Sequence, residues 1–519
     1  MKKILLYDTT LRDGSQGENI NFSVSEKIRI AKKLDDLGIH YIEGGWPLSN
    51  PKDKEFFKQA QKIKWQNTKI TAFGSTRRKN TKAKNDPNLL ALLDAQTPAI
   101  TIFGKSWDLH ATKVLKTTLE ENLAMIYDSV KFLKSQKREI IYDAEHYFDG
   151  YKNNPNYALA TIREAIRGGA RTIVLCETNG GCLPYEIEEI TKKTIQKINN
   201  PKIKFGIHAH NDSDTGTANS ITAIRAGARM VQGTMNGYGE RCGNADLTSI
   251  IPILKLKMNH DCINLKNLAK LSQTARYINE LANVIPNPHK AFVGKSAFAH
   301  KAGIHVSGIM RESRAYEHMD PTLVGNVRRI LASDLAGKSN IEYKAQEMNV
   351  KLENDDSQKI TQEIKNLEQA GYQFDGADAS LKILMQKHTN KFKQAFDLQS
   401  FEILIRKVKN EPSKSQANVN ISVKGKSKKA TAQGEGPVSA LDNALRKALI
   451  KFFPKINKMR LADFKVRVID GRDGTGAQVR VLIESRDNQE TWNTLGVSQD
   501  IIEASWYALA DSIYYYLNK

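Results

Sequence analysis

Along residues 1 to about 257, short apolar runs alternate with longer stretches in which apolar positions recur every three or four residues. The runs are Ile4–Tyr7, His40–Glu43, Lys69–Phe73, Ala99–Phe103, Glu139–Asp143, Thr172–Cys176, Ile203–Ile207 and Met230–Thr234, each of strand length. Helical patterns separate them. Ser23 and Glu26 are spaced as a capping box, Ile28, Ala31 and Leu34 share one helical face, and Gly38 supplies the stop. Asn50-Pro51 predicts an N-cap followed by proline at the first helical position. Tyr157–Ile166 and Ser220–Ala226 predict two more helices. Eight strand–helix units in this length predict a parallel sheet closed as a (β/α)₈ barrel. An open dinucleotide-binding sheet is the competitor. However, the glycines of Gly237-Tyr238-Gly239-Glu240-Arg241-Cys242-Gly243 are wrongly spaced for that fingerprint and do not follow the first strand.

The pattern then changes. Pro286-Asn287-Pro288 interrupts the helical stretch Leu268–Leu281 and marks a boundary. Residues 345 to about 395 are charged and helical with weak apolar faces: a connecting helical region, or else a flexible spacer. From about residue 400 strict alternation takes over. Phe401–Val408 and Asn418–Lys424 predict half-exposed strands, and Pro437 opens a helix running to Ile450. The order recurs with Phe464–Ile469, Gln478–Ile483, a third run at Thr491–Leu495, and a helix over Gln499–Leu517. The expected architecture is a barrel over 1–275, helical linker subdomains over 276–395 and an α+β domain over 396–519.

Composition adds limits. The chain has 519 residues, of which 40% are hydrophobic, enough for real cores. Its net charge of +21 raises the question of nucleic acid or an acidic membrane surface. The lysines are spread along the chain, though, and the densest cluster, Lys424-Gly425-Lys426-Ser427-Lys428-Lys429, has no arginine–aromatic stripe beside it. A solvated lysine-rich surface follows, with neither nucleic acid nor membrane as partner. The four cysteines form no CxxC pair, which fits a reducing cytoplasm. The first apolar run is too short for a signal peptide, and no run approaches the roughly 20 residues of a membrane span.

Barrels of this kind carry their chemistry where strands end. Polar residues gather there: Asp8, Arg12 and Asp13; Glu43; Asp143 and Glu145; Glu177 and Thr178; His208 and His210; Asn236, Glu240, Arg241 and Asn244. Residues two apart on a strand share a face, so His208 and His210 leave the seventh strand side by side. A lone histidine is usually a surface or satisfied core group, and Asn211-Asp212 could simply cap the next helix. With Asp13, however, the pair makes a mixed oxygen and nitrogen set suited to Mg²⁺, Mn²⁺, Zn²⁺ or Fe²⁺, open for a substrate carbonyl. Arg12 then meets an oxyanion or a carboxylate, or only a rim acid. Thr178 binds a substrate carboxylate or caps a loop. Glu145 is a candidate base if its position raises its pKa, or else it holds a ligand or Arg12.

Three stretches carry a resemblance. Leu6-Tyr7-Asp8-Thr9-Thr10-Leu11-Arg12-Asp13-Gly14-Ser15-Gln16 resembles the first signature of the DRE-TIM metallolyase superfamily. His208-Ala209-His210-Asn211-Asp212 resembles its metal motif. Asn236-Gly237-Tyr238-Gly239-Glu240-Arg241-Cys242-Gly243-Asn244-Ala245 resembles the signature of its acyl-transferring branch, the 2-isopropylmalate, homocitrate and citramalate synthases. The resemblance implies condensation of acetyl-CoA with a 2-oxo acid, then thioester hydrolysis. It implies Asp13, His208, His210 and Asn244 around a divalent metal (Mn, Mg or Zn), Arg12 on the oxyanion and Thr178 on the carboxylate. Glu177 departs from the Asp more usual in relatives.

In the second half, His305 matches the family histidine that works with a barrel glutamate, here Glu145, as base. Tyr316 matches a tyrosine near the acetyl-CoA end. In relatives this segment reaches over the partner subunit's barrel, which implies a homodimer. Residues 396–519 resemble the regulatory domain of the long-form synthases, including Gly434-Glu435-Gly436-Pro437-Val438. That turn leads into a helix N-terminus able to receive a carboxylate. The implied effector is isoleucine for citramalate synthases and leucine for isopropylmalate synthases, with a ligand-free dimerisation domain as the alternative. Phe103–His110 and Asp143–Tyr151 look most like a citramalate branch. This implies pyruvate as acceptor, with Phe73, Phe103 and Tyr142 as walls of its pocket. The 2-isopropylmalate and homocitrate reactions, and an acyl-CoA lyase of the same superfamily, stay as alternatives.

Overall fold

The eight apolar runs become eight parallel strands: β1 (Leu5–Asp8), β2 (Tyr41–Gly45), β3 (Lys69–Ser75), β4 (Ala99–Lys105), β5 (Glu139–Glu145), β6 (Thr172–Glu177), β7 (Lys204–Ala209) and β8 (Met230–Gly233). They hydrogen-bond in sequence order, and β8 returns to β1 through Leu5↔Met230 to Asp8↔Gly233, closing the barrel. The computed structural model describes residues 2–333, 337–353, 355–469 and 477–519, which fall into two compact units, Met1–Phe298 with Met319–Val327, and Ala299–His318 with Arg328–Lys519.

Local chemistry explains the helices of the first unit. The Ser23 amide donates to Glu26 Oε2 at 2.7 Å and the Glu26 amide donates to Ser23 Oγ at 3.3 Å, closing the capping box of the helix Val24–Leu37. Gly38 ends it in the left-handed region at φ 97°. Asn50 Oδ1 accepts from the Lys52 amide at 2.9 Å, with Pro51 in the first turn.

Alternation along the strands sorts the barrel into two cores. Leu5, Tyr7, Tyr41, Ala99, Ile141, Val174, Cys176 and Met230 fill the interior. Their neighbours, among them Leu6, Ile42, Ile102, Tyr142, Leu175 and Val231, face the surrounding helices. This parity corrects one expectation. Tyr142 lies between inward-facing Ile141 and Asp143, so it points outward, fully buried, with its hydroxyl over Gly104 beside Ile126. It is no wall of the oxo-acid pocket.

In the second unit, β9 (Ala299–His300) and β10 (Arg329–Ile330) make a two-stranded ladder. Helices Lys338–Glu347, Asp356–Gln369 and Asp378–His388 share a core of Ile341, Ile360, Ile364, Leu381 and Met385. The stretch is folded helix, not a spacer. Two antiparallel sheets follow, β11 (Asp397–Arg406), β12 (Lys414–Val423) and β13 (Lys426–Gly434), then β14 (Arg460–Val468), β15 (Val479–Arg486) and β16 (Thr491–Ser498). Each is closed by a helix, Pro437–Leu449 and Ile501–Leu517. The strand β13 was not expected. Its only buried-side apolar residues are Ala430 and Ala432, and the lysine cluster hides a hairpin. Lys424 at φ 50° and Gly425 at φ 76° form its two-residue turn, after which the lysines decorate an edge strand.

Candidate active site and metal centre

A cavity of about 260 Å³ opens where the barrel strands end. The residues that reach it are set by strand parity. Inward positions run on from the interior core to Glu43, Phe73, Phe103, Asp143, Glu145, Thr178, His208 and His210, while outward Asp8 and Glu177 stay in the wall. Asp8 accepts from the Thr10 amide and hydroxyl, both at 2.9 Å, and burial pushes its carboxyl up to about 7. Glu177 Oε1 accepts from the Gly181 and Cys182 amides at 3.0 and 3.3 Å. It therefore shapes the loop behind Thr178 without entering the cavity.

Arg12 sits on the turn after β1. Its Nε donates to Glu43 Oε1 at 2.6 Å, its Nη1 lies 3.0 Å from Asp13 Oδ1, and the guanidinium rests 3.8 Å over the Phe73 ring. The Tyr7 hydroxyl donates to Glu43 Oε2 at 2.6 Å, so the carboxylate that holds Arg12 is itself held. Burial works against the Asp13 anion, but Arg12 and then His208 outweigh it and keep the carboxyl below its ordinary value.

Asp13, His208 and His210, all buried, bring one ligand atom each to within 4.8 Å of one another. His208 Nε2 lies 3.3 Å from His210 Nε2 and 3.2 Å from Asp13 Oδ2. The other ring nitrogen of His208, Nδ1, faces Gln232 Oε1 at 2.9 Å, while Gln232 Nε2 donates to Asp143 Oδ1 at 3.0 Å. An amide oxygen only accepts, so Nδ1 carries a proton and Nε2 is the ring atom turned on the cluster. Burial, then His208, pushes His210 down to about 3, leaving it a neutral imidazole at pH 7. Asn244 directs its amide nitrogen at Asp13 Oδ2 (3.1 Å) and His208 Nε2 (3.2 Å), and its Oδ1 is buried with no donor. A half-turn of that amide would add an oxygen to the set. One carboxylate, two imidazoles and an amide fit a divalent cation.

The last loop locks this rim. Arg241 Nε donates to Asp212 Oδ1 at 2.7 Å and its Nη2 to the Thr178 carbonyl at 2.8 Å. Gly239 has no substitute, because a Cβ there would fall 1.9 Å from Asn244 Oδ1. Thr178 Oγ1 accepts from the His146 amide at 3.0 Å, so its own proton is free for a substrate oxygen. Glu145 pairs with Lys105 at the end of β4.

Of the expected site residues, Arg12, Asp13, Phe103, Glu145, Thr178, His208 and His210 line the one cavity, and Asn244 abuts it. His305 and Tyr316 belong to the other compact unit, where both are exposed and their rings lie 4.5 Å apart. The Tyr316 ring packs on the helix Gly303–Arg311 at Gly308, where a Cβ would lie 2.4 Å from it. Trp46, Lys105 and Gln232 were missed. Gln232 had a signal, a polar residue inside the short apolar strand β8.

A closed parallel barrel with two buried imidazoles, a carboxylate and a braced arginine at its C-terminal mouth defines the class: metal-assisted barrel enzymes acting on carbonyl compounds. Comparison with known proteins narrows it. Residues 3–275 match the HMGL-like family, 292–372 the homocitrate synthase post-HMGL domain-like family, and 375–517 the LeuA allosteric (dimerisation) domain. The (R)-citramalate synthase of Aquifex aeolicus is 52% identical over 100% of this chain and 98% of that protein. The (R)-citramalate synthase of Geobacter sulfurreducens is 51% identical over 100% and 98%. The 2-isopropylmalate synthase of Sulfolobus acidocaldarius is 34% identical over 75% and 97%. The chain belongs to the (R)-citramalate synthase family. Among the described residues, no helix is long and apolar enough to cross a membrane.

Proposed function

We propose that this chain condenses acetyl-CoA with pyruvate and water to give (R)-citramalate and CoA. The observation that carries the reading is the convergence of Arg12, Asp13, Glu145, Thr178, His208 and His210 on one cavity in a chain similar over its whole length to citramalate synthases. Asp13, His208, His210 and Asn244 would hold a divalent cation, Mn²⁺, Mg²⁺ or Zn²⁺, which when bound supplies Lewis-acid polarisation of the acceptor carbonyl. The Thr178 hydroxyl donates to the acceptor carboxylate. Arg12, braced by Glu43, offers its remaining N–H groups to the oxygen that becomes an alkoxide as the new bond forms. Glu145, with His305, takes a proton from the acetyl methyl group, and the enolate carbon attacks the acceptor carbonyl carbon. Water then cleaves the thioester and CoA leaves as the thiol. Tyr316 serves the acetyl-CoA end of the site, and a second copy of the chain completes it, as a homodimer.

We assign residues 396–519 to feedback by isoleucine, the end product of the pathway this reaction would feed, in the cytoplasm. The helix Pro437–Leu449 has no side-chain cap on its first turn, whereas Asp500 caps the matching helix by accepting from the Ile502 and Glu503 amides at 2.6 and 3.2 Å. The uncapped amides beside Gly434–Val438 favour a ligand carboxylate there.

The test is release of free thiol from acetyl-CoA with pyruvate, 3-methyl-2-oxobutanoate or 2-oxoglutarate, with and without chelator. Release with pyruvate that chelator stops is expected. No release with any acceptor sinks the acyltransferase, and release only with 3-methyl-2-oxobutanoate makes it an isopropylmalate synthase.

A further inference from the structure

The cavity is chemically divided. Its lining is polar except for Trp46, Phe73, Phe103 and Cys176, so the rings are the main apolar surface that an acceptor's side chain can meet. Phe73 and Phe103 stack at 5.3 Å, and Trp46 stands edge-on to both, at 6.0 and 5.7 Å.

Trp46 is the ring held most firmly from outside the cavity. Its indole Nε1 donates to Asn88 Oδ1 at 2.7 Å. Asn88 is buried on the helix Pro87–Asp94, and its Nδ2 donates to the Ser75 carbonyl at 2.6 Å, so the amide cannot turn without losing a bond. The Trp46 backbone is tied as well. Its amide donates to Asp53 Oδ2 at 2.9 Å, and Asp53 Oδ1 accepts from the buried Lys27 Nζ at 2.5 Å. Gly45 makes the approach possible, since a Cβ there would fall 2.3 Å from Asp53 Cγ. A large ring pinned at both ends is a rigid wall, unlike an aliphatic chain that changes rotamer around a bigger guest.

We infer that Trp46, positioned by Asn88, sets the size of the 2-oxo acid this site accepts. The inference rests on the proposed condensation. A methyl group fits against the three rings, and a branched group has to displace the indole and break its bond to Asn88. Differences of one or two methylenes at an apolar wall change selectivity by about tenfold or more.

The test uses the full-length chain and compares kcat/KM for pyruvate and 3-methyl-2-oxobutanoate in the wild type, Trp46→Leu and Asn88→Ala, with calorimetric binding of both acids alongside. Trp46→Leu is expected to raise the branched-to-pyruvate ratio at least about tenfold. Asn88→Ala should move the ratio the same way by a smaller factor, mostly in KM. A ratio within twofold of wild type in a folded Trp46→Leu protein overturns the inference. If Trp46→Leu does not fold, Asn88→Ala alone decides by the same criterion. Absence of thiol release in the wild type is a failure of the proposed reaction instead, and the binding ratio then still reads the wall.

Discussion

The two ends of the barrel use histidine in opposite ways. At the N-terminal end, His40 precedes β2 and its Nδ1 accepts from the Leu6 amide at 3.1 Å, so the ring pegs two strands together. At the C-terminal end, His208 and His210 turn their Nε2 atoms on each other at 3.3 Å, with Asp13 alongside. Burial lowers the pKa of both His40 and His210. What differs is where the lone pair goes. In His40 it is spent on a backbone amide, and in the pair the Nε2 atoms are aimed at a point they share with Asp13 and the Asn244 amide. A ring nitrogen bonded to the backbone holds a fold together, and side-chain ligand atoms converging on one point make a candidate binding site.

The sharpest way to break this contrast is His210→Ala. Turnover is expected to fall by more than about 100-fold, with loss of bound metal read by elemental analysis. Unchanged metal content refutes the ligand assignment. Glu145→Gln is expected to cost about 100- to 10,000-fold in kcat, the usual range for a general base, with metal content unchanged. A loss of metal there would move Glu145 into the ligand set. Gln232→Ala frees the His208 ring while leaving its ligand atom in place. Metal affinity should drop about 10- to 100-fold, and equal affinity would mean that the Gln232 bond does not orient the ligand.

The smallest effect belongs to the N-terminal end and depends on pH. Burial, reinforced by Lys3, pushes His40 from 6.5 down to about 4. The unfolded chain takes up a proton below pH 6.5, and the folded one resists until about pH 4. The His40 contribution is therefore complete above pH 6.5 and is lost as pH falls from 6.5 towards 4. His40→Gln should cost about 1 kcal/mol in denaturant unfolding at pH 7.5 and less at pH 5, with activity near wild type. A cost that grows at pH 5 would reverse the sign and show the folded ring to be protonated.

Features that depend on near neighbours in sequence could be read from it. The Ser23–Glu26 box and the Asn50-Pro51 start involve residues one to three apart, and the His208–His210 alignment follows from the strand period of two. The same period applied to β5 would have excluded Tyr142, because it lies one residue from Asp143. β13 escaped notice because hydrogen bonds to β12, not an apolar face, make it a strand. Lys105, Gln232 and Trp46 acquire their roles from Glu145, from Asp143 and His208, and from Asn88, partners that sequence spacing does not reveal.

By itself the sequence determined the barrel, the rim at its strand ends and the polar residues that gather there. Period, capping and strand parity are properties of the local chain, and they operate wherever the strand is placed. Only the closed structure decided which of those atoms meet, which ring nitrogen of His208 faces Gln232 and which aromatic ring is tied to Asn88 at the pocket wall. Each of these depends on a hydrogen bond between residues brought together by the closing of the sheet.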